Sequence, residues 1–219
     1  MIIAIDGPAG AGKSTIAKLL AQKLGFLYID TGAMYRALAL KAIESGIDIK
    51  DAVSVVKMAA ASDVDLVNNP GGGALEVFLD GRDVSQEIRQ PRVSRVVSDV
   101  AKIKEVRQIL VKLQRRLGSQ KDSVLDGRDI GTIVFPGADK KFYIDAQFDE
   151  RVMRRYKELT GLGQAVTLEE VKNDLCNRDT IDSTREHSPL KKADDAIYID
   201  TTKMTIDEEV ETLLQWIKR

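Results

Sequence analysis

The chain has 219 residues, a formal net charge of −1 at pH 7 and a hydrophobic fraction of 43%. A near-neutral chain has no bulk attraction for nucleic acid or for a membrane surface, and no stretch approaches the about twenty apolar residues that span a bilayer. The single cysteine, Cys176, cannot form an internal disulfide, and no secretory leader precedes the first predicted strand, so we expect a cytoplasmic protein. The single histidine, His187, argues against a His-based metal site or a Ser-His-Asp triad.

The first fifteen residues combine a predicted strand with a phosphate-binding loop. Residues Ile2 to Ile5 form a short, continuous apolar run, which is typical of a strand buried on both faces. The next residues fit G-x-x-x-x-G-K-[ST], in which glycines let successive backbone N–H groups turn inward around an anion. A helix that ends at Gly25 is predicted to follow, with its N-terminus also facing the phosphates. The predicted nucleotide-binding residues are Gly7, Pro8, Ala9, Gly10, Ala11, Gly12, Lys13, Ser14 and Thr15.

Two side chains of this loop have predicted chemical roles. Lys13 would reach the β- and γ-phosphates of a bound nucleotide, and the hydroxyl of Ser14 would ligate Mg²⁺. The alternative is a glycine-rich turn that matches the motif by chance. The strand before the motif and the helix after it favour the phosphate site.

The following segment predicts a βαβ unit. Residues Phe26 to Asp30 (FLYID) have the pattern of a second buried strand, and a helix is predicted from Ala33 to Ser45. Strand, helix and strand at this spacing indicate a parallel sheet with right-handed crossovers. Asp51 is the predicted N-cap of a further helix.

A different pattern occupies residues 63–90. Apolar and polar residues alternate from Val64 to Val84, which is the period of antiparallel strands with one face in water. Turns are predicted at Pro70 to Gly73 and at Asp80-Gly81. We therefore expect a small antiparallel insert, and the regular alternation argues against the alternative of a disordered excursion.

The rest of the chain completes an α/β pattern. Apolar residues recur at helical spacing from Pro91 to Leu117, which predicts one long helix in which a bend is allowed. The remaining predicted strands are 123–126, 141–145 and 196–200, and the remaining helices are 149–161, 167 to about 180, and one that a capping box at 205–208 opens. The prediction is a single α/β domain over residues 1–219, with a five-stranded parallel sheet and helices on both faces.

Three of the predicted strands lead into acid-bearing loops, in which the first acids are Asp6, Asp30 and Asp126. Because the carboxyl ends of parallel strands form the ligand crevice of doubly wound sheets, we expect these loops to converge on one site. Asp126 resembles a Walker-B acid, which would hold Mg²⁺ directly or through water. A capping or turn role for Asp126 is the alternative.

Arginines are concentrated where an anionic substrate would need them, because guanidinium donates a bidentate fork to phosphate. Arg36 follows the second strand, Arg107 lies in the long helix, and Arg128 follows the third core strand. The segment 149–192 contributes Arg151, Arg154, Arg155, Arg178 and Arg185. For the first three of these a solvated helix face is an equal alternative. The Ser/Thr-rich break beside the last two favours a loop that covers the substrate.

The motifs GPAGAGKST, DTGAMYR, DGRDIGT and NRDTIDSTR occur in this order, with the antiparallel insert after the second. Together they resemble the bacterial cytidylate kinases along essentially the whole chain. The first motif is common to P-loop proteins, whereas DTGAMYR and DGRDIGT with the insert are much more specific. The N/T-K-x-D guanine reader of GTPases is missing, and Gly127 follows Asp126 where ATPases have glutamate.

The resemblance implies a P-loop nucleoside-monophosphate kinase that uses ATP and Mg²⁺ to phosphorylate CMP and dCMP. The insert at residues 63–90 would bind the monophosphate, and residues 149–190 would form a short helical lid. The implied metal ligands are Ser14 and Asp126, and the implied catalytic residues are Lys13, Arg128, Arg178 and Arg185. The implied substrate contacts are Thr31, Arg36, Ser98, Arg107, Arg128, Asp129, Arg178, Asp182 and Arg185. A monomer with small-molecule partners, and neither nucleic acid nor membrane, is expected.

The resemblance also implies a role for each substrate contact. The acceptor phosphate would be held by Arg36, Arg128 and Arg178, and cytosine would be read by Ser98, Arg107 and Asp129. Asp182 would meet the sugar hydroxyls, and Arg185 the transferring phosphoryl group. Thr31 stands where the family often has serine, and it keeps the hydroxyl. For Asp129 the alternative is that it only holds Arg128 in place.

Two other functions remain open from the sequence. One is a kinase for a different small acceptor, such as UMP or a non-nucleotide metabolite. The other is a nucleotide-dependent binding switch with slow hydrolysis. Arginines clustered away from the phosphate loop favour a second anionic ligand over a switch.

Overall fold

The computed structural model describes residues 1–68 and 75–218. Its central sheet has five parallel strands in the order β2-β6-β1-β7-β8. These strands are β1 (Ile2–Asp6), β2 (Leu27–Asp30), β6 (Ser123–Gly127), β7 (Lys140–Asp145) and β8 (Ile197–Asp200). The predicted five-stranded parallel sheet is thus confirmed, and β1 is its middle strand. Its residues Ile3, Ala4 and Ile5 are fully buried, which explains the continuous apolar run.

Helices cover both faces of this sheet. One face packs against α1 (Lys13–Leu24) and α8 (Ile206–Ile217), and the other packs against α5 (Lys104–Gly118) and a π-helical turn at Ile130–Val134. Helix α1 ends where Gly25 adopts a left-handed conformation with φ of 70°. Helix α8 begins with the predicted capping box, in which the Thr205 side chain and Glu208 bond to each other's backbone N–H.

The insert is a three-stranded antiparallel sheet made of β3 (Val64–Val67), β4 (Glu76–Leu79) and β5 (Arg82–Asp83). The predicted turn at Pro70 to Gly73 lies outside the described residues. The inward-facing side chains of Val64, Val77 and Leu79 share one apolar core with the flanking helices. These helices are α2 (Thr31–Glu44), α3 (Ala52–Ala60), α4 (Pro91–Ala101) and α5.

The long helix predicted from Pro91 to Leu117 is two helices, α4 and α5, with Lys102 and Ile103 between them. Ile103 has extended backbone geometry and precedes the first turn of α5. The break frees the carbonyl group of Ala101, which accepts a hydrogen bond of 3.2 Å from the guanidinium of Arg107. The bend that the sequence allowed therefore serves to orient a predicted site residue.

The segment predicted as a lid consists of α6 (Phe148–Gly161) and α7 (Leu168–Thr184). Helix α7 begins with a capping box between Thr167 and Glu170, and it continues four residues beyond the predicted end near Thr180. The two helices share a small apolar core with Ala9 of the phosphate loop. They are thereby fixed beside the loop that the sequence assigns to ATP.

Candidate active site

The phosphate-binding loop connects β1 to α1 and has backbone geometry that requires glycine. Gly7 has φ of 149°, and a Cβ atom there would lie 1.9 Å from the carbonyl oxygen of Ile144 on the adjacent strand. Gly12 has φ of 87° and is the N-cap of α1. The loop therefore brings successive backbone N–H groups and the N-terminus of a helix to one place, as the motif predicts.

Lys13 is 5% exposed, and its Nζ donates a hydrogen bond of 2.6 Å to the carbonyl of Pro8 in the same loop. Burial lowers the pKa of Lys13 well below its ordinary value, and the nearby Arg128 guanidinium lowers it further. A neutral carbonyl group compensates poorly for the free energy that a buried ammonium group loses when it leaves water. A phosphate oxygen would be a far better partner for it.

Asp126 lies at the end of β6 and receives two hydroxyl groups. Ser14 Oγ donates to Asp126 Oδ2 at 2.8 Å, and the Tyr28 hydroxyl donates to Oδ1 at 2.9 Å. Burial raises the pKa of Asp126 to about 7, and the carboxylate of Asp30 adds to this shift. A buried carboxylate beside a second carboxylate and a hydroxyl oxygen is a hard-oxygen donor set of the kind that Mg²⁺ accepts.

The described residues hold no group of three or more His, Cys, Asp or Glu side chains arranged around a metal position. This finding is compatible with Mg²⁺, which is usually held by one or two carboxylates together with water and substrate phosphates. The predicted ligands Ser14 and Asp126 therefore fit Mg²⁺ in chemistry and in mutual position. The sequence did not predict the contact of Tyr28 with Asp126. Its position in the FLYID strand, two residues before Asp30, could have indicated that it lies near this site.

Asp6 is oriented differently from Asp30 and Asp126. The sequence predicts that the loops after these three strands converge on one site, but the side chain of Asp6 itself turns to the π-helical turn after β6. Its two carboxylate oxygens accept hydrogen bonds of 2.8 and 2.7 Å from the backbone N–H groups of Ile130 and Gly131. Burial raises the pKa of Asp6 to about 6.

Two neighbouring cavities share part of their walls, and the larger one extends from the phosphate loop. It is about 970 Å³ and is lined by residues of this loop, by Asp126, and by arginines that include Arg36, Arg128 and Arg178. The smaller is about 60 Å³, and all nine predicted acceptor residues line it: Thr31, Arg36, Ser98, Arg107, Arg128, Asp129, Arg178, Asp182 and Arg185. Both cavities contain Arg36, Arg128 and Arg178 in their walls, so these three guanidinium groups stand between the two spaces.

An excess of positive charge collects at this junction. Arg36 donates hydrogen bonds to Ser94 Oγ at 2.9 Å and to the carbonyl of Ile88 at 3.2 Å. Arg155 donates to the same Ser94 hydroxyl at 3.3 Å. Burial lowers the pKa of Arg36 well below its ordinary value, and Arg178 and Arg155 lower it further. The Nε atom of Arg178 is buried without a hydrogen-bond partner. Crowded cations of this kind provide an anion site.

The small cavity ends in a network of buried charges. Arg107 Nη2 bonds to Asp129 Oδ2, and Arg185 Nη2 lies 3.9 Å from Asp129 Oδ1. Arg128 Nε instead donates to Asp182 at 2.9 Å. Although burial alone would raise the pKa of Asp182, the surrounding guanidinium groups, Arg128 first, lower it. The alternative that Asp129 serves only to hold Arg128 is therefore wrong, because Asp182 takes that role.

Two side chains of the site make contacts that the sequence did not predict. The ring of Tyr35 lies 5.3 Å from the guanidinium carbon of Arg107 and supports it by a cation–π contact. Arg154, for which a solvated face was an equal alternative, donates to the side chain and carbonyl of Thr201 and lies 3.5 Å from the buried Glu209. Tyr35 lines the small cavity, and Arg154 and Glu209 line the large one. These contacts could not be predicted from the sequence, because the residues that make them are far apart in the chain and meet only in the folded protein.

A parallel sheet with a phosphate loop on its middle strand, an acid on the adjacent strand and a second, arginine-lined cavity defines a P-loop kinase with a small anionic acceptor. The family model of cytidylate kinase matches residues 3–219. The chain belongs to the cytidylate kinase family, as its motifs predicted.

Known relatives agree with this assignment. The chain is 52% identical over 217 residues to the cytidylate kinase of Clostridioides difficile, covering 99% of this chain and 98% of the relative. It is 51% identical to that of Caldanaerobacter subterraneus subsp. tengcongensis, covering 99% and 94%. The crystal structure of shikimate kinase from Bacteroides thetaiotaomicron is 11% identical with a TM-score of 0.50, covering 100% of this chain and 99% of the other, which shows a shared P-loop kinase fold. None of the helices in the described ranges has the length and apolar character needed to cross a membrane.

Proposed function

We propose that the protein transfers the γ-phosphoryl group of ATP to CMP or dCMP, forming ADP and CDP or dCDP. As a member of the cytidylate kinase family it is a nucleoside-monophosphate kinase. The observation that carries the assignment to this site is the row of guanidinium groups between the two cavities, formed by Arg36, Arg128 and Arg178. A donor and an acceptor phosphate meeting there would both contact the same cations.

The reaction needs no general base. A phosphate monoester has its second pKa near 6, so the CMP phosphate is largely dianionic at pH 7 and is already a nucleophile. One of its oxygens forms the new bond to the γ-phosphorus as the bond from γ-phosphorus to the β-γ bridging oxygen breaks, and the electron pair leaves with ADP. This explains why the site contains neither a catalytic histidine nor a catalytic cysteine.

The protein therefore acts by positioning and by charge neutralisation. Lys13 would exchange its bond to the Pro8 carbonyl for oxygens of the β- and γ-phosphates. Arg36 and Arg178 would hold the acceptor phosphate in line, and Arg128 and Arg185 would neutralise charge on the moving group. Burial strengthens each of these interactions because the local dielectric constant is low.

Magnesium fits the oxygens of Ser14 and Asp126, and when bound it would supply positive charge to the β- and γ-phosphates. The Tyr28 hydroxyl would keep Asp126 oriented toward that position. Helices α6 and α7 would exclude water, which otherwise competes with CMP for the γ-phosphoryl group.

The base would be read by the buried pair of Arg107 and Asp129. Cytosine presents an N4 amino donor beside the N3 and O2 acceptors, whereas uracil presents O4 as an acceptor and N3–H as a donor. A carboxylate only accepts and a guanidinium only donates, so this pair complements cytosine and opposes uracil. Asp182 would bind the sugar hydroxyls, and Ser98 and Thr31 would complete the wall of the acceptor pocket.

A coupled assay of ADP release with CMP, dCMP, UMP, AMP and GMP tests this proposal. We expect CMP and dCMP to be turned over, with kcat/KM for UMP lower by on the order of 10³- to 10⁴-fold. Equal use of UMP would indicate a broader pyrimidine kinase, and slow hydrolysis without acceptor dependence would indicate a nucleotide switch. Monomeric state and cytoplasmic location stay predictions.

A further inference from the structure

Asp129 occupies a position at which aspartate normally binds its own backbone. It immediately precedes the π-helical turn at Ile130–Val134, and an aspartate before a helical turn usually accepts hydrogen bonds from the first N–H groups of that turn. Here the side chain of Asp129 makes no such bond. It points instead to Arg107 and Arg185 in the acceptor pocket.

The N–H groups that Asp129 does not satisfy are those of Ile130 and Gly131, and Asp6 accepts both. Asp6 can reach them because β1 and β6 are adjacent parallel strands, in which Asp6 is paired with Gly127. The chain leaving Gly127 turns back over the end of β1. Asp6 is 4% exposed, and its Oδ2 lies against Gly131, where a Cβ atom would be 3.4 Å away, so the carboxylate is enclosed by the turn that it caps.

We propose that Asp6 is a positioning residue for the acceptor site, which caps the turn after β6 from a neighbouring strand and thereby leaves the carboxylate of Asp129 free for the base. Asp6 directly precedes Gly7, the first residue of the phosphate loop. One buried carboxylate would therefore anchor the loop of the acceptor beside the loop of the donor. The inference rests on the proposed function, in which Asp129 reads cytosine.

Energetic competition explains why this arrangement matters. Two buried N–H groups without an acceptor carry a free-energy cost of the same order as the loss of one buried charge pair, so the two arrangements of Asp129 compete. Without Asp6, the carboxylate of Asp129, which directly precedes the same turn, is in a position to accept from them. Removing Asp6 would therefore draw Asp129 onto its own turn and away from Arg107.

The test compares Asp6→Asn, Asp6→Ala and the wild type in kcat and KM for CMP, UMP and ATP. Asp6→Asn keeps one acceptor oxygen. We expect the KM for CMP to rise about tenfold in Asp6→Asn and further in Asp6→Ala. The selectivity for CMP over UMP should fall with it, while the KM for ATP stays within about twofold of the wild type. The matched control is Asp139→Asn, because Asp139 accepts from the N–H of Ile2 at 2.6 Å at the opposite end of β1.

A double variant separates positioning from a general loss of structure. In an Asp129→Asn background, Asp6→Asn should change the CMP to UMP ratio no further, since both substitutions act through one carboxylate. An additive change in that ratio, or unchanged selectivity in Asp6→Asn, would overturn the proposal.

A crystal structure of Asp6→Asn gives a readout independent of activity and serves if Asp6→Ala does not fold. We expect the Asp129 carboxylate to lie within hydrogen-bond distance of the N–H of Ile130 or Gly131. Retention of its bond to Arg107 in that variant would contradict the inference. Absence of CMP turnover in the wild type would instead contradict the proposed function, so the two failures are distinguishable.

Discussion

The hydroxyl of Ser14 and the carboxylate of Asp126 are 112 residues apart in sequence, and they meet at 2.8 Å across the ends of α1 and β6. Ser14 belongs to the phosphate loop, and Asp126 ends the adjacent strand. Their contact brings the two proposed magnesium ligands together. The energetic cost is a carboxylate buried beside a second one, Asp30.

This cost should be visible as a dependence of stability on pH. The pKa of Asp126 is raised from 3.8 to about 7 in the fold, mainly by burial. Between these values the folded protein retains a proton that the unfolded chain releases. The free energy of unfolding should therefore fall as pH rises from about 4 to about 7. In Asp126→Asn we expect a weaker fall and, at pH 8, an unfolding free energy higher by about 1–3 kcal/mol.

Urea unfolding of both proteins without nucleotide at pH 5 and pH 8 makes this measurement. The fall that remains in Asp126→Asn should come largely from Asp6, whose pKa is raised to about 6. The same variant should lose at least about a hundredfold in kcat, because Mg²⁺ would lose a charged ligand. An Asp126→Asn protein no more stable than the wild type at pH 8 would show that the carboxylate is compensated in the fold.

Lys13→Ala should reduce kcat by at least about a hundredfold, the scale of losing one electrostatic contact to the transition state. Folding should survive, since the burial of a lysine that bonds only a backbone carbonyl adds little stability. Steady-state kinetics with CMP and ATP, together with thermal unfolding, check both statements. Near-normal turnover by the purified variant would contradict the assignment of the phosphate loop.

Asp129→Asn should lower the ratio of kcat/KM for CMP to that for UMP by about 10- to 100-fold, because an amide can donate as well as accept. We expect the KM for ATP to stay nearly constant. Asparagine is preferable to alanine here, since alanine would leave the buried Arg107 and Arg185 facing an empty space. An unaltered ratio would remove Asp129 from base recognition.

Asp182→Asn is the matched control for that experiment. Asp182 is a second buried carboxylate in the same pocket, and it is paired with Arg128 at 2.9 Å. Asp182 is assigned to the sugar and not to the base. We therefore expect Asp182→Asn to change the ratio of CMP turnover to dCMP turnover, and to leave the ratio of CMP turnover to UMP turnover unchanged. A parallel loss of base selectivity in both variants would indicate that the charge network acts only as a unit.

Hydrogen exchange in the insert should change when the acceptor, CMP, binds and not when the donor, ATP, binds. Hydrogen exchange in β3 and β4, none of whose residues line the large cavity, is expected to slow with CMP alone and to stay unchanged with ATP alone. Helix α8 is the internal control, because Ile206 and Glu209 line the large cavity and should gain protection with ATP. Equal protection of the insert by ATP alone would mean that it does not bind the monophosphate.

Much of this architecture follows from local sequence patterns. The apolar runs, the glycine spacing of the phosphate loop and the capping boxes depend on neighbouring residues, and each leads to the predicted element. The orientation of Asp6 could not be predicted in this way, because its partners Ile130 and Gly131 lie more than 120 residues away. The cation–π contact of Tyr35 with Arg107 likewise depends on how α2 and α5 pack. Such contacts are set by tertiary structure alone.

The hydroxyl of Ser94 has consequences for how the enzyme would close. It accepts from Arg36 on α2 and from Arg155 on α6, so one oxygen of α4 ties the acceptor side of the molecule to the predicted lid. A phosphate entering between these two cations would offer them several charged oxygens in place of one neutral hydroxyl. Substrate entry would then weaken the hydrogen bonds from Arg36 and Arg155 to Ser94, and it would replace them with stronger bonds from both arginines to the phosphate. Closure would in this way become conditional on an acceptor being present, which protects ATP from futile hydrolysis.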